Sequence, residues 1–136
     1  MKETNRSLAL FLFFSLLVLS ILLTPHQAAF SQSPVDRFPK DIAKSPLPKL
    51  LDFGAGKCIP CKAMAPILKE LSEEYKDRVI IRVIEVYEEK ALTEVNRIRL
   101  IPTQIFFDSN NREVHRHQGF MDKEAIKKVF QKMGIK

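Results

Sequence analysis

Apolar positions along the chain fall into blocks of different period. Leu8 to Leu23 is almost uniformly apolar. Leu50 to Phe53 is a short apolar run and predicts a buried strand, broken at Gly54-Ala55-Gly56. Met64, Ile67, Leu68, Leu71 and Tyr75 recur every three or four residues, so a helix is predicted from near Cys58 to near Tyr75. Pro66 lies inside that pattern, removes one backbone donor and predicts a kink. Val79 to Val86 is β-branched and nearly continuous, as a central strand would be. Glu88 to Arg97 predicts a second helix with Ala91, Leu92 and Val95 inward. Thr103 to Phe107 and Val114 to Gln118 are two further strands, joined as a hairpin by the turn residues Asp108-Ser109-Asn110-Asn111. Asp122 is placed to cap a last helix, Lys123 to Met133, with Ala125, Ile126, Val129 and Phe130 inward.

The order is strand, helix, strand, helix, strand, strand, helix. Crossover helices make the first three strands expected parallel partners, and the hairpin returns the fourth antiparallel. The expected architecture is a three-layer α/β/α fold with a central mixed sheet of about four strands and flanking helices. Phe106 and Phe107 are adjacent, so they belong to opposite faces of a sheet covered on both sides.

The first apolar block is a different kind of segment. Lys2 and Arg6 precede it, and Pro25 and Ala29-Phe30-Ser31 come after it. Residues 1–31 read as a signal peptide cleaved after Ser31, with an uncleaved membrane anchor as the alternative. Either reading exports the remainder of the chain and places it outside the cytoplasmic membrane, in a periplasmic or similar extracytoplasmic space. Residues 32–46, with Pro34, Pro39 and Pro46, read as a lead-in linker that holds at most a short helix between Val35 and Lys44. Residues 47–136 form the folded domain.

Composition narrows the chemistry. The chain has 136 residues, 46% of them hydrophobic, enough for one packed core. The formal charge of +6 is dispersed, with no aromatic–basic interleaving, so no nucleic-acid partner is expected. His115 and His117 share a strand face, but their spacing and that of the cysteines do not suit a zinc site, so no metal is expected.

The only two cysteines are Cys58 and Cys61. A ring closed across Ile59 and Pro60 restrains the unfolded chain very little, so a structural staple is the weaker account and reversible redox chemistry the stronger. The Cys58 sulfur falls at a helix N-terminus, where unsatisfied N–H groups and the helix dipole favour a thiolate. Cys58 is therefore the expected nucleophile. Cys61, one turn along on the same face, is the expected resolving thiol. Pro60 is tolerated in the first turn and stiffens the ring. Lys57 either adds positive charge beside Cys58 or points to water. Asp52, on the strand leading into the motif, is either a solvent-facing edge carboxylate or a buried general acid/base for Cys61; its apolar neighbours favour the second. Arg82 or a neighbour is a candidate partner for it.

Leu51-Asp52-Phe53-Gly54-Ala55-Gly56-Lys57-Cys58-Ile59-Pro60-Cys61-Lys62, followed by Ala65-Pro66-Ile67-Leu68, resembles the active-site strand, loop and helix of the thioredoxin family. Ile101-Pro102-Thr103 resembles its cis-proline segment, and Gly119 its glycine beside the substrate groove. The resemblance implies a thioredoxin-like fold in which Cys58 attacks, Cys61 resolves, Asp52 assists and Pro102 is cis. It also implies that Ile101, Pro102 and Gly119 form the groove for an extended substrate peptide. The chain departs from the family pattern at three points. Lys57 stands where the family has tryptophan, Ile59 where it has glycine, and the opening strand is weak or absent. The expected function is an exported thiol–disulfide oxidoreductase that reduces protein disulfides. Its only redox group would be the Cys58–Cys61 disulfide, with no separate cofactor. Its partners would be disulfide-containing clients and a membrane thiol donor, and it would act as a monomer. A dithiol oxidase of the same fold, or a non-catalytic metal-carrying module, is the alternative.

Overall fold

A four-stranded mixed sheet organises residues 34–136, the part of the chain that the computed structural model describes. The strands are β1 (Lys49–Gly54), β2 (Ile80–Glu85), β3 (Thr103–Phe107) and β4 (Glu113–Gln118), in the order β2-β1-β3-β4. The helices are α1 (Ile59–Glu74), α2 (Lys90–Val95) and α3 (Lys123–Lys132), and a 3-10 turn covers Pro34–Arg37. The expected signal or anchor segment, residues 1–31, lies outside the described residues. Among the described residues no helix is long and apolar enough to cross a membrane.

Side-chain alternation along β1 and β3 divides the core in two. On one face Leu50 and Phe106 pack with Met64, Leu68 and Leu71 of α1 and with Ile126 and Phe130 of α3. On the other face Leu51, Phe53, Ile105 and Phe107 pack with Phe38, Ile42 and Ala43, and Leu92 of α2 joins them. Phe106 and Phe107 thus lie on opposite faces, as their adjacency requires. The stretch read as a lead-in linker supplies core: Phe38, Ile42 and Ala43 are all buried. Asp122 caps α3 through a bond from the Ala125 N–H at 2.7 Å.

Three expectations about the strands need correction. First, β3 is antiparallel to β1, not parallel, with Asp52 opposite Gln104. The reason is length. The six residues of α2 rise only ~9 Å, less than half of the ~20 Å along a six-residue strand. The chain therefore never returns to the end where β2 began. It enters β3 from the end where β2 stopped, which brings Pro102 to the same end of the sheet as Gly54. Second, β2 is an edge strand among the described residues, not a central one. Arg82 and Val83 are exposed, and no opening strand covers them there. Third, Gly54 belongs to β1 rather than breaking it. The predicted second helix is also shorter than expected, and Ala91 is exposed rather than inward.

Candidate active site

The site forms where β1, the first turn of α1 and the start of β3 meet. Cys58 has extended backbone angles and is the N-cap of α1. Its Sγ accepts the Cys61 backbone N–H at 3.3 Å, so a sulfur performs the role that serine or aspartate usually fills. Pro60 occupies the first turn, where its missing N–H costs nothing. Cys58 and Cys61 are joined as a disulfide, with Cα atoms 5.2 Å apart. Cys58 is half-buried and Cys61 is 8% exposed, which is the asymmetry expected of an attacking and a resolving thiol. Lys57 and Ile59 are exposed, Ile59 at 82%.

Asp52 is 1% exposed on β1, an interior strand, so the solvent-facing alternative is excluded. Burial pushes its carboxyl up to about 6, opposed by a hydrogen bond that Gln104 Nε2 donates to Oδ1 at 2.8 Å. Arg82 is not its partner; that guanidinium meets Asp41 at 3.2 Å, and Val83 is the residue in register with Asp52. The other carboxylate oxygen borders the same side of Gly54 as Cys61. A methyl group placed on Gly54 would stand 3.7 Å from Asp52 Oδ2, 3.4 Å from Cys61 Sγ and 3.2 Å from Cys61 Cβ. The bare glycine therefore keeps open the space between carboxylate and sulfur. A cavity of about 170 Å³ adjoins that space, lined in part by Asp52, Gly54, Cys61, Ala65, Val83 and Glu85. Glu85 Oε2 accepts the Gly56 N–H at 2.8 Å and ties the loop before Cys58 to β2.

The Ile101–Pro102 peptide bond is cis. Gly119 donates its N–H to the Pro102 carbonyl at 2.8 Å, with φ at +100°, a conformation that favours glycine. Ile101 and Cys58 both pack on the same core cluster. The three groove residues expected from the sequence, Ile101, Pro102 and Gly119, are thus brought to the disulfide end of the sheet. His115 and His117 lie on the edge strand β4 opposite Phe106 and Gln104, and His117 Nε2 meets the Phe120 carbonyl at 3.1 Å. Among the described residues no three His, Cys, Asp or Glu side chains converge as metal ligands.

Sequence reasoning missed Gln104, Glu85 and Gly54, and also the exposed apolar residues Leu100 and Phe120, next in line to Ile101 and Gly119. A signal existed for Gln104: it is the one amide in a buried strand of five residues and directly precedes Ile105, Phe106 and Phe107.

This arrangement can pass two electrons through a dithiol. The thioredoxin family model matches residues 30–132. The chain belongs to the thioredoxin family. It is 40% identical over 78 residues to a thioredoxin of Acidithiobacillus ferridurans, covering 57% of this chain and 72% of that one. It is 46% identical over 65 residues to a thioredoxin of Buchnera aphidicola, covering 48% and 58%. Among solved structures it is similar to chloroplastic thioredoxin z, with TM-score 0.61 and 28% identity, over 68% of this chain and 83% of that one. The protein is a thiol–disulfide oxidoreductase with a thioredoxin-like fold. Members of this family act on disulfide-containing proteins.

Proposed function

We propose that the chain is an exported reductase of protein disulfides, working outside the cytoplasmic membrane and recharged there by a membrane thiol donor. One observation carries the mechanism: Cys58 Sγ caps α1 while Asp52 Oδ2 stands across Gly54 from Cys61. With the disulfide opened, the Cys58 thiolate keeps its cap bond and the helix dipole, and both favour the anion. It attacks a client disulfide. One client sulfur leaves as a thiolate, and the other remains bonded to Cys58. Cys61 then passes its proton to Asp52 and attacks Cys58 Sγ. The bond from Cys58 to the client breaks, the Cys58–Cys61 bond forms, and the client has gained two electrons. Near pH 7 Asp52 is mostly ionised and can take that proton.

The apolar surroundings support an extended peptide as client. Ile59, Leu100 and Phe120 are exposed beside Cys58, Ile101 and Gly119. Lys57 and Ile59 replace the family's tryptophan and glycine, and together with Pro60 they tune the potential.

Three measurements test this reading. Alkylation of the reduced protein at acidic pH should label Cys58 faster than a free cysteine; equal rates would remove the attacking thiolate. Cys58→Ser should abolish insulin reduction. A redox titration of the pair should give a strongly negative potential, and a value near those of known oxidants would make the protein an oxidase instead.

A further inference from the structure

We propose that Gln104 is a positioning residue for the resolving step: it holds Asp52 Oδ1 so that Oδ2 is the oxygen left on the Cys61 side, and it favours the ionised carboxyl. The proposal rests on Asp52 taking the Cys61 proton.

The geometry is specific. Gln104 lies directly opposite Asp52 in the β1–β3 pairing and is fully buried. Its Nε2 donates to Asp52 Oδ1 at 2.8 Å and also approaches Met64 Sδ at 3.0 Å. With Oδ1 held, Oδ2 is the oxygen left beside Gly54 and Cys61. The amide oxygen, Oε1, is buried with no partner. A buried amide with one end unsatisfied is costly in a resting fold. Its other end is committed to Asp52. The carboxylate only accepts hydrogen bonds, and the amide N–H serves it.

In the resolving step the Cys61 S–H proton goes to Asp52 Oδ2. The freed sulfur electron pair forms the bond to Cys58 Sγ, and the client sulfur departs with the electrons of the bond that breaks. Gln104 touches neither sulfur. It acts through Asp52 by favouring the carboxylate before the proton arrives, which matches the direction in which its hydrogen bond moves that carboxyl.

The test uses the full-length reduced protein and the disulfide of 5-thio-2-nitrobenzoate in stopped flow. The first coloured thiolate is released by Cys58 attack and the second by Cys61. Gln104→Met replaces the amide with an apolar side chain of similar size. It should move the pH midpoint of the second phase upward by about one unit, the effect of losing one hydrogen bond to a charged group. The first phase should keep its wild-type rate. An unchanged second-phase midpoint in Gln104→Met, with the pH dependence lost in Asp52→Asn, overturns the role of Gln104 alone. A wild-type profile in Asp52→Asn overturns the Asp52 assignment and this proposal with it. Should Gln104→Met not fold, the wild-type protein decides. The Gln104 side-chain amide resonances should shift with the same midpoint as the Asp52 carboxyl, and resonances flat through that midpoint reject the proposal.

Discussion

Asp52 and Glu113 sit on the same sheet, two strands apart, and their surroundings drive their carboxyls in opposite directions. Asp52 on β1 is enclosed by apolar neighbours with one neutral amide for company, and burial pushes it up to about 6. Glu113 on β4 holds two guanidiniums, Arg116 at 2.7 Å and Arg37 at 2.6 Å, and hydrogen bonds from Arg116 and then Arg37 bring it down to about 2. One carboxylate weakens the fold when ionised, and it stands near the resolving thiol. The other strengthens it and has no reactive neighbour. Clamped by cations, Asp52 would be a poor proton acceptor for Cys61; wrapped in apolar side chains, Glu113 would stabilise nothing.

Removing the charge at Asp52 breaks the contrast most sharply. The folded protein binds this proton more tightly than the unfolded chain does, so the penalty is absent below about pH 4 and complete above about pH 6. Asp52→Asn should therefore gain about 3 kcal/mol of stability at pH 7.5, while its second thiolate release slows at least tenfold. Denaturant melts at pH 3.5 and 7.5 check the first point; a gain of equal size at both would show that ionisation is not its source. Next in size is Gly54→Ala, which sharpens the comparison by closing the space on the reactive side only. A methyl 3.2 Å from Cys61 Cβ overpacks the site, and a loss of about 1–2 kcal/mol should accompany a slower Cys61 step. The Cys58 step should hardly change in stopped flow. The smallest effect belongs to the surface partner. Glu113→Gln should lose about 1 kcal/mol at pH 7, given the solvent that screens this pair. That deficit should shrink as pH falls from 4.5 and vanish below about 2, where the native carboxylate is protonated as well. Thermal melts in low and high salt read it, and salt should reduce it.

Local pattern made some of these features legible and not others. Asp52 could be found because a lone carboxylate in an apolar strand beside two cysteines is conspicuous within six residues. The cap at Cys58, the capping Asp122 and the opposite faces of Phe106 and Phe107 come from rules that span four residues or fewer. Pro102 and Gly119 are legible only because their segments resemble those of a family. Gln104 required knowing that β1 and β3 pair antiparallel in a register joining residues 52 apart in sequence. The expectation of parallel strands puts it elsewhere. That error comes from treating Glu88–Arg97 as a full crossover helix, when only Lys90–Val95 is helical. Lys49 is hidden for the same reason. It only precedes the predicted strand Leu50 to Phe53, yet it is fully buried, with Nζ bonded to the Ser45 and Leu47 carbonyls and to Asn111 from the far hairpin turn.

The sheet margin at Ile80–Glu85 has a consequence for how copies of this molecule meet. Six residues of half-satisfied backbone, with the Val83 side chain 52% exposed among them, form a template along which another extended chain could zip. Midway along it stands Arg82, tethered to Asp41 by an ion pair 3.2 Å long. A neighbour docking there would have to strip water from that cation, so a single guanidinium guards against fibrous stacking where, among the described residues, no fifth strand does so.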